Sequence, residues 1–149
     1  MADQRSGGRR KSALAFFLEN RIITLVALLE HGWLDAKVEK FMWRQMKNAF
    51  DVDAVYYIDR RESIDAVLQV VTGKRVYLQP EATYSGTRLE AYEHPEDACY
   101  IFGRAGDNNM RHVEQGDDIV TVFTPKPVDA FAMNIAAMVL YDRMVKHVS

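Results

Sequence analysis

The sequence predicts an α/β domain: a Rossmann-like parallel sheet with helices on both faces. Residues 22–29 (IITLVALL) form an unbroken run of β-branched and apolar residues, the pattern of a strand buried on both sides. Short apolar runs recur at 52–58, 76–79, 98–102 and 118–123, and helical periodicity or polar loops fill the intervals, the alternation that builds parallel sheets. At 149 residues and 48% hydrophobic, with no internal repeat or long linker, the chain fits one domain over residues 12–149.

Taken in order, residues 1–11 carry Arg5, Gly7, Gly8, Arg9, Arg10 and Lys11 and read as a disordered basic tail. Residues 12–20 are a short apolar stretch with room for one or two helical turns. The run at 22–29 is the first strand, broken by His31-Gly32. From 34 to 49 the apolar positions Leu34, Val38, Phe41, Met42 and Met46 fall at helical spacing, with Asp35 and Lys47 near the ends the helix dipole favours for each sign. Residues 52–58 (VDAVYYI) are the second strand and 59–63 a charged turn. A short helix over 63–71 places Ile64, Val67, Leu68 and Val71 on one face, with Gly73 as its C-cap. The third strand, 76–79, is closed by Pro80. Residues 81–88 have loop composition and are expected to face a ligand or substrate.

A single turn at 89–92 leads to the fourth strand at 98–102. Residues 103–116 are polar, with one helical turn, and 118–123 are the fifth strand. The terminal helix, 129–146, carries Phe131, Met133, Ile135, Met138, Val139, Tyr141 and Met144 around most of its circumference, so it is expected to be buried on more than one side.

Composition excludes several classes. A net charge of −2 gives no global attraction to nucleic acid, so RNA contact would need a local patch or arm. The one cysteine, Cys99, lies in an apolar strand and reads as a small hydrophobe in a reducing, cytoplasmic compartment. No run approaches the ~18 apolar residues of a spanning helix, and no secretory leader pattern opens the chain. The histidines at 31, 94, 112 and 147 lack a second ligand at metal spacing, so no metal is expected. Glycine-rich phosphate loops and the G-x-S-x-G elbow are absent.

The remaining signal lies in the last third. The strand ends at Phe102-Gly103 and at Thr124-Pro125, beside a helix N-terminus, would expose backbone amides and carbonyls at one sheet edge. The run LEAYEHPEDACYIFGRAGD, a strand ending in TPKP, and AMN opening the terminal helix resemble the cofactor half of the SPOUT RNA methyltransferases of the SpoU class. The resemblance covers Leu89 onward well and residues 25–59 more weakly. It implies a C-terminal deep trefoil knot, S-adenosylmethionine bound there, a homodimer, and methyl transfer to an RNA ribose 2′-hydroxyl. The positions it assigns to the cofactor are Leu78, Phe102, Gly103, Arg104, Phe123, Thr124, Pro125 and Met133, largely through backbone.

Its catalytic positions fall on Arg44 and Asn134. Family members carry an Asn on the first helix with an Arg six residues on; here Val38 stands six before Arg44. A second register sets Asp51 at the glycine usual before the second strand and puts Gln45 at the arginine position; Arg44 is preferred. Ala105 replaces the usual acidic residue after the glycine loop. Asn134 is placed by counting from Pro125, and a helix-capping role is the plain alternative. Lys37, Lys40, Arg44 and Lys47 recur at three- and four-residue steps and share a helix face that, with the tail, could grip phosphates. The small size favours tRNA over rRNA. A catalytically degenerate RNA-binding or interaction protein of the same fold is the alternative function.

Overall fold

The computed structural model describes residues 22–30, 35–59, 62–80, 86–104, 109–125 and 132–148. The tail at 1–11, the stretch at 12–20, His31-Gly32, residues 81–85, Ala105 and the first residues expected of the terminal helix lie outside them.

Six strands form one sheet in which every pairing is parallel: β1 (Ile23–Leu28), β2 (Ala54–Ile58), β3 (Lys74–Pro80), β4 (Thr87–Arg88), β5 (Ala98–Phe102) and β6 (Asp118–Val122), in the order β2-β1-β5-β3-β6-β4. Among the described residues the helices are α1 (Ala36–Ala49), α2 (Ile64–Leu68) and α3 (Ala132–Val148), and short 3-10 turns occupy Leu89–Ala91 and Met110–His112. Five of the strands are the expected ones, within two residues at each end. The unforeseen β4 is only two residues long, too short to leave a periodic trace; Gly86 admits it, since a Cβ there would lie 2.7 Å from the Ile119 carbonyl oxygen of β6.

The strands sort their side chains by alternation. Leu25, Ala27, Val76, Leu78, Tyr100, Phe102 and Val120 face one side, where they meet Trp43 of α1 and Ala136, Val139 and Leu140 of α3. Val26, Leu28, Tyr77, Cys99 and Ile101 face the other, under Ile64 and Leu68 of α2. Helices therefore cover both faces. Cys99 sits in this second layer, where burial pushes its thiol up to about 12, so it is an inert apolar filler.

Three expectations are corrected. The inward side of α1 is Glu39, Trp43 and Met46, whereas Val38, Phe41 and Met42 point to solvent. The α1 helix has two apolar sides, and periodicity alone does not say which one the sheet takes. On α3 the buried residues Ala136, Val139, Leu140 and Arg143 make one stripe, while Met138, Tyr141 and Val145 form an exposed one, so within a single chain that helix is buried on one side only. The α2 helix is shorter than expected: Gln69 is its C-cap, and Gly73, at φ 94°, instead makes the left-handed turn into β3, where a Cβ would come within 2.9 Å of the Asp97 backbone.

Candidate functional site

Because all strands are parallel, their carboxyl ends share one edge. The path out of β1 passes through α1 on one face to β2, and the path out of β2 passes through α2 on the other face to β3, so the chain diverges around the central strand β5. Such a divergence leaves a crevice at the carboxyl ends of the middle strands. Leu78 pairs in register with Phe102, and Pro80 with Val122, which brings the ends of β3, β5 and β6 together there. The registered pairing of β5 and β6 with β3 ends at Phe102 and Val122; Gly103, the isolated bridge residue Arg104 and the backbone of Phe123 to Pro125 continue past it over the same edge.

Of the sequence-assigned cofactor positions, Leu78 and Phe102 are buried, and the Phe102 ring lies 5.7 Å from that of Trp43. Phe123 is exposed. Met133, in the first turn of α3, packs against the sheet core. Arg104 has a side-chain task of its own: its Nη1 donates to the carbonyls of Leu29 at 3.2 Å and Ile58 at 3.4 Å, tying the ends of β1 and β2 together. Asn109, which the sequence reading did not single out, is buried at φ 63°, and its Nδ2 donates to the Phe102 carbonyl at 3.4 Å. Asn is among the few residues that adopt this left-handed geometry at little cost, the one signal that could have found it.

This donor set suits a nucleoside-like cofactor such as S-adenosylmethionine. Leu78 and Phe102 are apolar residues at the strand ends, next to the backbone of Gly103 and Phe123, and a purine needs an apolar slot plus a few backbone hydrogen bonds at its edge. Among the described residues, no group of three or more His, Cys, Asp or Glu is placed to hold a metal ion, and no helix is long and apolar enough to cross a membrane.

The catalytic candidates are less gathered. Arg44 is exposed in the second half of α1, on the side facing the edge strand β2, where its charge lowers the Tyr57 phenol's tendency to hold its proton against the stronger opposing effect of burial. Lys40 lies over the same ring at 5.6 Å, and Lys37 is exposed beside it, so the basic face foreseen on α1 is present and borders β2. Asn134 is the third residue of α3, inside the helix and not at its cap, and it is exposed on the same side as Met138, Tyr141 and Val145.

Backbone geometry bears on the register. Asp51 has φ 55°, the left-handed conformation that glycine adopts freely, whereas Phe50 is at φ −107°. In the register that sets Asp51 at the glycine, Gln45 takes the arginine position and Glu39 the asparagine position. Glu39 is only 2% exposed, and both carboxylate oxygens accept the Glu30 N–H, at 3.0 and 3.1 Å. A carboxylate there closes α1 onto the end of β1.

The specific motif His94-Pro95-Glu96-Asp97 lies at the opposite, amino edge of the sheet, ahead of β5, so only its far end, Phe102-Gly103, belongs to the ligand edge. Its residues fasten α3. Arg143, 1% exposed, donates to the Pro95 and Glu96 carbonyls, each at 2.7 Å, and to the Tyr100 hydroxyl at 3.0 Å. The His94 ring bridges Tyr100 Oη at 2.7 Å and Asp142 at 2.8 Å. A carboxylate only accepts, so His94 Nε2–H donates to Asp142 and Nδ1 accepts from the Tyr100 hydroxyl. Lys146 Nζ reaches Asp142 at 2.8 Å and the carbonyls of Leu89 and Tyr92 at 2.7 and 2.9 Å. The Asp97 carboxylate holds the Ile22 N–H at 2.9 Å.

Burial lowers the His94 pKa to about 4, outweighing the raising effect of Asp142; the Arg143 and Lys146 charges add to the lowering. Below a pH near 6.5 the unfolded chain takes up a proton that the folded ring refuses until about pH 4, so this contribution is complete above 6.5 and lost as pH falls towards 4. Urea titrations of wild type and His94→Gln should show their stability gap narrowing by about 2–3 kcal/mol between pH 7 and 4.5. A gap independent of pH would mean the ring is not held neutral.

No family model and no curated protein matches the chain. Among solved structures, a candidate RNA methyltransferase from Bacillus anthracis aligns with a TM-score of 0.59 at 14% identity, over 84% of this chain and 95% of that one. The two chains share a fold. At that identity the likeness is one of backbone.

Proposed function

We propose that the protein is an S-adenosylmethionine-dependent RNA 2′-O-ribose methyltransferase of the SpoU class, acting as a homodimer whose last segment is threaded into a trefoil knot. The observation that carries the reading is the shared fold over 84% of this chain and 95% of the other, joined to the meeting of the β3, β5 and β6 ends at the positions the motifs assign to the cofactor.

In this reading the backbone at Gly103, Arg104, Phe123, Thr124 and Pro125 holds the cofactor, with Leu78, Phe102 and Met133 as its apolar wall. When bound, the cofactor supplies an electrophilic methyl group. The chain's own task is to align the ribose oxygen and help it shed a proton, which positioning and one well-placed cation can accomplish. Arg44 would orient the target phosphate and Asn134 shape the cofactor loop, while Lys37, Lys40 and Lys47 extend the phosphate-binding face. The first RNA to test is tRNA. The homodimer is supported by the exposed apolar residues Val38, Phe41 and Met42 on α1 and Met138, Tyr141 and Val145 on α3, two helices that touch each other. Asn134 shares the α3 side of this surface, so a second copy would stand near it.

One observation favours the second reading, a binding protein of the same fold without catalysis. The left-handed Asp51 supports the register in which Gln45 and Glu39 replace the catalytic Arg and Asn, and Glu39 is committed to the Glu30 amide. Calorimetry with S-adenosylmethionine and its demethylated product, followed by methyl transfer to bulk tRNA with wild type, Arg44→Ala and Gln45→Ala, separates the two. Binding with transfer lost in Arg44→Ala supports the enzyme and its assigned arginine. Binding without transfer supports the second reading, and no binding at millimolar ligand overturns the cofactor assignment.

A further inference from the structure

We infer that Phe123, backed by Arg88, is a stacking platform for an unpaired nucleobase of the RNA. The inference rests on the RNA reading above and adds to it the residue that seats the base beside the cofactor edge. Phe123 follows the last ladder residue of β6, and its ring remains 52% exposed where the alternating pattern no longer demands an apolar side chain. The Arg88 guanidinium carbon stands 4.4 Å from the ring centroid. Arg88 is itself held in place: it belongs to β4, is paired in register with Thr121 of β6, and its strand is admitted by the close approach of Gly86 to Ile119. Glu90 adds an exposed contact at 3.8 Å to Nη1.

A solvent-exposed phenyl ring at a strand end gains nothing from the core. Fixed by a cation over it, it becomes a preorganised surface on which any base can lie, because every base has a π-face and the guanidinium can also reach an adjoining phosphate. Single-stranded RNA is read in this manner, by aromatic rings and Arg planes that receive splayed bases. A protein partner would instead need a broader apolar surround, whereas the exposed residues of β4 and the start of the following turn are Thr87, Arg88 and Glu90.

The test uses the full chain and a fluorescein-labelled single-stranded RNA of about ten nucleotides, read by anisotropy, beside the same length made of abasic residues. Stacking of one base predicts that Phe123→Ala weakens binding of the base-containing strand by about 5- to 100-fold while Phe123→Tyr retains it. The abasic strand should bind wild type and Phe123→Ala alike, and Arg88→Gln should weaken both strands. Equal binding of the base-containing strand by wild type and Phe123→Ala, or a loss of the same size on the abasic strand, overturns the platform. Wild type that binds no single strand also overturns it, yet leaves the cofactor assignment to its own calorimetric test.

Discussion

Arg143→Ala is expected to destabilise the folded chain by about 3–5 kcal/mol, read as a lower urea midpoint at unchanged slope. The side chain is all but fully buried and donates to the Pro95 and Glu96 carbonyls and the Tyr100 hydroxyl. Truncation leaves acceptors dry and unpaired, at about 1–3 kcal/mol each, and opens a cavity between α3 and the segment before β5. The Arg143→Lys variant keeps the charge but cannot span both carbonyls with a rigid fork, so it should fall between the two. A loss in Arg143→Ala below about 1 kcal/mol would show that the fastening lies elsewhere.

The second large effect concerns assembly. If the outer stripes of α1 and α3 form the homodimer, wild type should sediment as twice 17.1 kDa and the double variant Met138→Glu, Tyr141→Glu as a single chain of 17.1 kDa. Each large apolar side chain buried contributes about 1.5–3 kcal/mol, and a two-fold interface counts it twice, so association should weaken on the order of ten-thousand-fold. Both residues face solvent in the single chain, at 45% and 58% exposure, so its circular dichroism should not change. Wild type that stays a single chain at tens of micromolar would refute the dimer.

The sheet was legible because β1, β2, β3, β5 and β6 each contain a short apolar run bounded by turn residues, most plainly β1 and β5, which are buried along their whole length. What escaped was orientation. Val38, Phe41 and Met42 share a side of α1, but spacing reports that residues share a side and says nothing about which side the sheet occupies; Glu39 inside and Phe41 outside reverse the usual polarity. Arg143 and Glu39 were opaque for a related reason, since a buried charge is admitted only by partners on other segments, the Pro95 and Glu96 carbonyls for Arg143 and the Glu30 amide for Glu39. The edge where the strands end was foreseen through Phe102-Gly103 and Thr124-Pro125, whereas the most distinctive residues, His94 to Asp97, turned out to be fastenings at the other edge. Asp51 shows a limit of another kind: Asp tolerates a left-handed backbone but does not require it, so its identity alone leaves the register open.

The fastening of α3 also bears on how the chain folds. Arg143 and Asp142 reach partners 48 residues away, and every strand pairing in the sheet is parallel and hence non-local. Contacts of such span form after the loop entropy they close has been met, which places the docking of α3 on the native side of the folding barrier. Losing Arg143 should then quicken unfolding and scarcely slow folding in stopped-flow chevrons, so the clamp sets how long the molecule lasts more than how fast it forms.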